Sequence, residues 1–201
     1  MTQTWEEAQK WEQEWHGNCV NSLNEELKQL VYAKKMGIRF TPDLKTPYNI
    51  DLEGKSILDI GGGAYSLLLK ASNFRKAVVV EPIDHPEWVM KRYEEANIRF
   101  WNIPGEEISL PPEADPLDKP DEVWMYDVLQ HTQDPEKIIQ NIKKMGKLLR
   151  IFEWVDIPVT SGHLHTLTEA NLNTWIGGEG KVEFVKEMGC VGKCYYGIFP
   201  L

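Results

Sequence analysis

Apolar residues recur at helical spacing from the start of the chain. Trp5, Ala8, Trp11 and Trp15 fall near one face of a helix over residues 4–17, which Thr4 and Glu7 open with capping-box spacing. Ser22 and Glu25 open a second helix in the same way. Its stripe is Leu23, Leu27, Leu30 and Val31, and Gly37 stops it. A polar connector over residues 38–54 follows, with Pro42 and Pro47.

From residue 55 short apolar runs alternate with helical patterns. The runs Ser56–Ile60, Ala77–Glu81, Ile98–Asn102, Glu122–Val128 and Lys147–Trp154 read as strands. Residues 64–72, Pro86–Ala96 and Pro135–Lys144 read as the helices between them. Strands that are almost wholly apolar are buried on both faces, and strand-helix alternation argues for a parallel sheet. The ending differs. A helix over Glu169–Ile176 precedes strands Val182–Glu187 and Lys193–Phe199, whose short glycine-containing link forces an antiparallel pair. The pattern predicts an α/β chain: a doubly wound, mostly parallel seven-stranded sheet with a terminal antiparallel strand, plus N-terminal helices.

Composition narrows the function. The 201 residues fit one domain, and 42% hydrophobic content allows a substantial core. Asp and Glu number 31 against 22 Lys and Arg, a formal charge of -9. Such a surface repels phosphate backbones, so nucleic acid is not the expected partner. Cys19, Cys190 and Cys194 are sparse, odd in number and without metal-ligand spacing, which points to a reducing compartment. No apolar run reaches membrane-span length, and the N-terminus M-T-Q-T-W-E-E is unlike a signal peptide. A cytoplasmic protein with no membrane partner is the expectation.

The segment S-I-L-D-I-G-G-G-A-Y-S, residues 56–66, carries the chemistry. A strand runs directly into Gly61, Gly62 and Gly63, where absent side chains let a ligand approach the backbone. The next strand ends in Glu81, an acid placed to accept hydrogen bonds from a ribose. A dinucleotide fingerprint would need a further glycine where Ser66 stands. Asp59, just before the glycines, suits a cationic amine better than a pyrophosphate. An amino-acid nucleoside such as S-adenosylmethionine has both the ribose and the amine.

At these residues the chain resembles the class I S-adenosylmethionine-dependent methyltransferases, over about residues 55–199. L-D-I-G-G-G is similar to the family's D-x-G-x-G cofactor turn, without its third glycine. V-V-V-E-P is similar to the second-strand motif, Y-D-V-L-Q-H-T-Q-D-P to the fourth-strand segment, L-L-R-I-F-E-W to the fifth strand, and H-L-H-T-L-T to a segment before the last helix. The resemblance implies a Rossmann-like fold and S-adenosyl-L-methionine as cofactor. It implies cofactor contacts at Asp59, Gly61, Gly62, Gly63, Glu81, Pro82, Gly105, Glu106, Tyr126 and Asp127. Pro104 stands about where relatives carry an adenine-binding acid, and Glu106 is the nearest candidate. The acidic, proline-rich residues 109–121 replace a helix found in many relatives and read as a solvated loop or a flap.

Three histidines are candidates for catalysis. His131 follows the fourth strand and is either a general base or a loop anchor. His163 and His165, two apart, would share one side of an extended segment on the acceptor rim; no third ligand completes a metal site. The domain reading is a helical lid over residues 1–37, with Trp11, Trp15 or Tyr32 facing the cleft, a connector over 38–54, and a methyltransferase domain over 55–201. The expected acceptor is a small molecule or glycan. The alternatives are a nicotinamide-dependent oxidoreductase or a non-catalytic nucleoside-binding protein on the same fold.

Overall fold

The computed structural model describes residues 4–17, 22–41, 48–109 and 119–201. Cys19, Pro42, Pro47 and most of the 109–121 segment lie outside the described residues, as does the Ser22 side chain of the second capping box.

Seven strands form the main sheet among the described residues: β1 (Ser56–Ile60), β2 (Lys76–Val80), β3 (Arg99–Trp101), β4 (Glu122–Tyr126), β5 (Leu148–Trp154), β6 (Lys181–Glu187) and β7 (Cys190–Pro200). Their spatial order is β3-β2-β1-β4-β5-β7-β6. The first five run parallel, with Ile57 opposite both Ala77 and Glu122. Only β7 is reversed, pairing antiparallel with β5 and β6. Met188 and Gly189, both at positive φ, make the two-residue turn that reverses it. All five residues of β1 and of β4 are buried, including the polar Ser56, Asp59 and Glu122 among their apolar neighbours.

Five α-helices flank the sheet: α1 (Trp5–Gly17), α2 (Ser22–Lys35), α3 (Glu87–Glu95), α4 (Pro135–Met145) and α5 (Glu169–Ile176). Alternation along the strands sorts the core into two layers. Ile57, Val79, Trp124, Tyr126 and Phe152 pack with α2 and α3. Leu58, Ile60, Val78, Val123, Met125 and Ile151 pack with α4 and α5. The helix ends follow local chemistry. The Thr4–Glu7 capping box forms in both directions, Asp134 caps α4 ahead of Pro135, and Thr168 caps α5, which Gly177 ends at φ +79°. No helix among the described residues is long and apolar enough to cross a membrane.

Three features differ from the sequence expectation. Residues 64–72 form no α-helix; a single 3-10 turn, Leu67–Lys70, follows the glycines, and its Leu67 and Leu68 are buried. The connector contains a short strand, Ile50–Asp51, parallel to Ala71–Ser72, and its Ile50 and Leu52 enter the core. Finally, α2 is not an element apart from the sheet. Val31, Tyr32, Ala33 and Met36 lie within the core, and Tyr32 stacks on Phe152 at 4.3 Å between ring centroids. The N-terminal helices therefore divide: α2 belongs to the domain core and α1 reaches across the carboxyl ends of the strands.

Candidate active site

The strand order reverses between β1 and β4, and the crevice at such a point is where open α/β sheets bind ligands. A cavity of about 210 Å³ opens there. Its floor is Ile60 to Tyr65, Val80 to Ile83, Gly105 and Glu106, and Tyr126 to Val128. Its roof includes Trp5, Gln9, Trp11, Glu12 and Trp15 of α1, with Glu25, Lys28, Gln29 and Tyr32 of α2. Trp11 and Trp15 stack at 5.3 Å.

The glycine turn is fixed by sterics and by its neighbours. Gly61, at φ +73°, lies so close to Val128 that a Cβ would approach Cγ2 to 2.1 Å. A Cβ on Gly62 would stand 2.8 Å from Asp59 Oδ2. Gly63, at φ +56°, faces open space instead. Glu81 ties the turn to the next strand: Oε2 accepts the Gly63 N–H at 3.1 Å and Oε1 accepts the Ile83 N–H at 3.1 Å. Asn102 Nδ2 holds the following loop, 3.1–3.2 Å from the carbonyl oxygens of Glu81, Pro82 and Ile83.

Asp59 lies beneath the turn and not on the cavity wall. It is fully buried, and its Oδ2 accepts hydrogen bonds from Ser66 Oγ at 2.5 Å and Tyr126 OH at 2.6 Å. Burial raises its pKa to about 7, against the lowering effect of those two hydrogen bonds. Asp59 therefore braces the turn, and a cationic amine has no access to it. Glu106 lines the cavity, but its Oε1 is engaged by the turn ahead of α4, accepting the N–H of Gln133 at 2.7 Å and of Asp134 at 3.0 Å. A Cβ on Gly105 would press on Ile138 at 2.9 Å, so that glycine lets the loop close on α4.

Asp127 follows β4 in a left-handed conformation, φ +58°, a region that aspartate enters more readily than most residues. Tyr32 OH donates to Oδ2 at 2.8 Å and Gln130 Nε2 to Oδ1 at 2.5 Å. Behind it, buried Glu153 accepts the N–H groups of Val128 and Leu129 at 3.1 and 3.3 Å. Burial pushes the Glu153 carboxyl well above its usual range.

The structure separates the three histidines. His131 and His163 line the cavity with their rings edge to face at 4.8 Å. His165 lies off it, with Nε2 at 2.9 Å from the Thr132 carbonyl and 3.2 Å from that of Gln133. His131 Nδ1 is 2.8 Å from the Gly162 carbonyl and 3.0 Å from Glu12 Oε1, while Nε2 is 3.3 Å from Gln130 Nε2. Burial lowers its pKa, but Glu12 outweighs this and raises it to about 9. Among the described residues no group of three or more His, Cys, Asp and Glu is placed to hold a metal.

Sequence reasoning missed Gln9, Glu12, Gln29, Gln130 and Glu153. Two of these left a signal. Glu153 is a charge inside the apolar run L-L-R-I-F-E-W, and Glu12 stands four residues after Ala8 on the apolar face of α1. Gln9 Oε1, Gln29 Oε1 and His163 Nδ1 are buried, belong to cavity-lining residues and have no hydrogen-bond partner among the described residues. Buried polar atoms of this kind normally have a partner.

No family model and no curated protein matches the sequence. Solved structures do. A SAM-dependent methyltransferase from Aquifex aeolicus aligns over 95% of this chain and 98% of its own, at 16% identity and a TM-score of 0.54. The N-methyltransferase NodS from Bradyrhizobium japonicum WM9, solved in complex with S-adenosyl-L-homocysteine, aligns over 91% and 98%, at 15% identity and 0.57. The [4+2]-cyclase SpnF aligns over 78% and 57%, at 14% identity and 0.53. The fold is thus the Rossmann-like fold of the class I methyltransferases, and SpnF shows that the fold alone does not fix the reaction.

Proposed function

We propose that the protein is an S-adenosylmethionine-dependent methyltransferase acting on a small-molecule or glycan acceptor. The observation that carries this reading is the positive-φ glycine turn tied by Glu81, in a cavity at the switch point of the sheet. The residues fit the cofactor. Glu81 would accept the ribose hydroxyls, and Gly63 leaves room for close approach. Pro82, Ile83, Gly105 and Ile138 supply apolar surface for the adenine. Asp127, the acid at the end of β4, would face the ammonium in place of Asp59. The bound cofactor would supply an electrophilic methyl group on a positively charged sulfur. The protein's own part is to orient the acceptor and exclude water. The roof of α1, with its stacked Trp11 and Trp15, is suited to that exclusion and is our candidate lid.

Isothermal calorimetry with S-adenosylhomocysteine tests the reading. Binding is expected, without comparable binding of NAD. The reverse preference would overturn it in favour of an oxidoreductase. Binding without methyl transfer to any acceptor would leave a nucleoside-binding protein.

A further inference from the structure

We propose that His163 Nδ1 is the atom that takes a proton from the methyl acceptor, and that the acceptor therefore reacts through an O–H or N–H group. This rests on the methyltransferase reading above. The argument is one of availability. A base needs an uncommitted lone pair on the cavity wall, within reach of the reacting atom. On the wall opposite the glycine turn, His131 has both ring nitrogens committed, Nδ1 to Gly162 and Glu12 and Nε2 to Gln130. Asp127 accepts hydrogen bonds from Tyr32 and Gln130 and is the acid assigned above to the cofactor's ammonium. Glu25 pairs with Lys28 at 2.8 Å. His165 is bonded to backbone carbonyls and lies off the cavity. His163 Nδ1 alone in this set is buried with no partner among the described residues.

The ring is also well placed to act. The backbone of His163 exchanges two hydrogen bonds with Thr160, at 3.1 and 3.2 Å, and Leu164 N–H bonds the Gln130 carbonyl at 2.7 Å. Gly162, at φ +84°, turns the chain so that His163 meets His131. The groups facing it are His131 on the turn after β4, Asp127 at the strand end and Glu12 on α1. Burial and the His131 charge lower its proton affinity, outweighing Asp127 and Glu12, so the ring is neutral and has a lone pair to offer near pH 7. His131 is the positioning residue in this scheme: its ring meets that of His163 edge to face, and its charge keeps His163 unprotonated.

In the step itself, the acceptor's O–H or N–H proton passes to His163 Nδ1. The acceptor's electron pair forms the bond to the methyl carbon. The methyl–sulfur bond breaks and its pair stays on sulfur. Positive charge thus moves from the methyl donor to the imidazole ring, which later releases its proton to water.

Nitrogen-detected NMR of the full chain labelled in its histidine rings, with S-adenosylhomocysteine present and absent, tests the assignment without an acceptor. At pH 7 His163 Nδ1 should show the shift of an unprotonated nitrogen, and the ring should titrate below its ordinary value of 6.5. A proton on Nδ1 at pH 7, or titration at or above 6.5, would overturn the proposal. Any acceptor found to turn over gives a second check. His163→Asn should lower kcat about 100-fold or more and abolish the rise of rate with pH through the His163 titration, with S-adenosylhomocysteine affinity unchanged. Wild-type rates in that variant would also overturn it. Failure of S-adenosylhomocysteine to bind at all is a separate outcome, which strikes the methyltransferase reading and not the state of the ring.

Discussion

The Tyr93 hydroxyl on α3 donates a 2.6 Å hydrogen bond to the carbonyl oxygen of Gly63 and accepts the N–H of Ser66 at 3.3 Å. One side chain thereby clamps both ends of the loop that lines the cavity. Tyr93→Phe removes the clamp and leaves two buried backbone groups unsatisfied, a cost of about 1–3 kcal/mol for each such group. The melting temperature should fall, and S-adenosylhomocysteine should bind several-fold more weakly. Calorimetry on the folded variant checks this. Unchanged affinity would mean that Asp59 and Glu81 hold the turn without Tyr93.

Glu81→Ala removes the acceptor of the Gly63 and Ile83 N–H groups and, in the proposed reading, of the ribose hydroxyls. A charged hydrogen bond contributes about 1.5–3 kcal/mol, and each 1.4 kcal/mol is about tenfold in affinity. The dissociation constant for S-adenosylhomocysteine should rise at least tenfold while circular dichroism reports a folded sheet. A dissociation constant within twofold of wild type would place the ribose elsewhere.

Asp59 makes stability depend on pH in a defined direction. Its folded-state pKa of about 7 lies above the ordinary 3.8, so the folded protein binds a proton that the unfolded chain has already released. Stability is therefore lost as pH rises from about 4 to about 7 and then levels off. Asp59→Asn abolishes that titration. The melting-temperature difference, variant minus wild type, should grow over this range and stay constant above it. A difference independent of pH would show that Asp59 titrates normally.

Docking of α1 has its own pH signature. The His131 pKa of about 9 lies above the ordinary 6.5, so its pairing with Glu12 stabilises the docked helix fully below pH 6.5 and is lost as pH rises through about 9. Amide exchange in α1, corrected for intrinsic rates, should accelerate between pH 7 and 9.5, and Glu12→Gln should flatten that dependence. Gly162→Ala should loosen the helix at every pH. Its Cβ would stand 2.8 Å from both Trp11 and Glu12, at a φ of +84° that alanine resists. Equal exchange in all three proteins would show that α1 is held by other contacts.

The sheet was legible because its central strands are mostly apolar runs, and Gly189 marks the turn that reverses the last strand. Residues 64–72 misled because Leu67 to Leu69 resemble a helix stripe while packing as one tight turn. Asp59 misled for a related reason: its charge suggests a ligand, but Ser66 and Tyr126, seven and 67 residues away, already occupy it. The two-residue spacing of His163 and His165 implied a common side. Gly162 and the Thr160 bridge bend the segment, so only His163 reaches the cavity. The partnership of Glu12 with His131 joins the first helix to the fourth strand's turn, and no local pattern announces it.

The single 3-10 turn after β1 also bears on which ligands the cleft can reject. In phosphate-binding relatives of this architecture, a long helix begins at that place and offers free N–H groups and the positive end of its dipole to an anion. Here the N–H groups of Gly63, Ser66, Leu67 and Leu68 already serve Glu81, Tyr93, Tyr126 and the Ser66 hydroxyl. No long helix stands behind them, and the Glu81 carboxylate adds negative charge beside the turn. The turn thus offers a diphosphate neither free donors nor a helix dipole, an obstacle that the proposed cationic nucleoside would not meet.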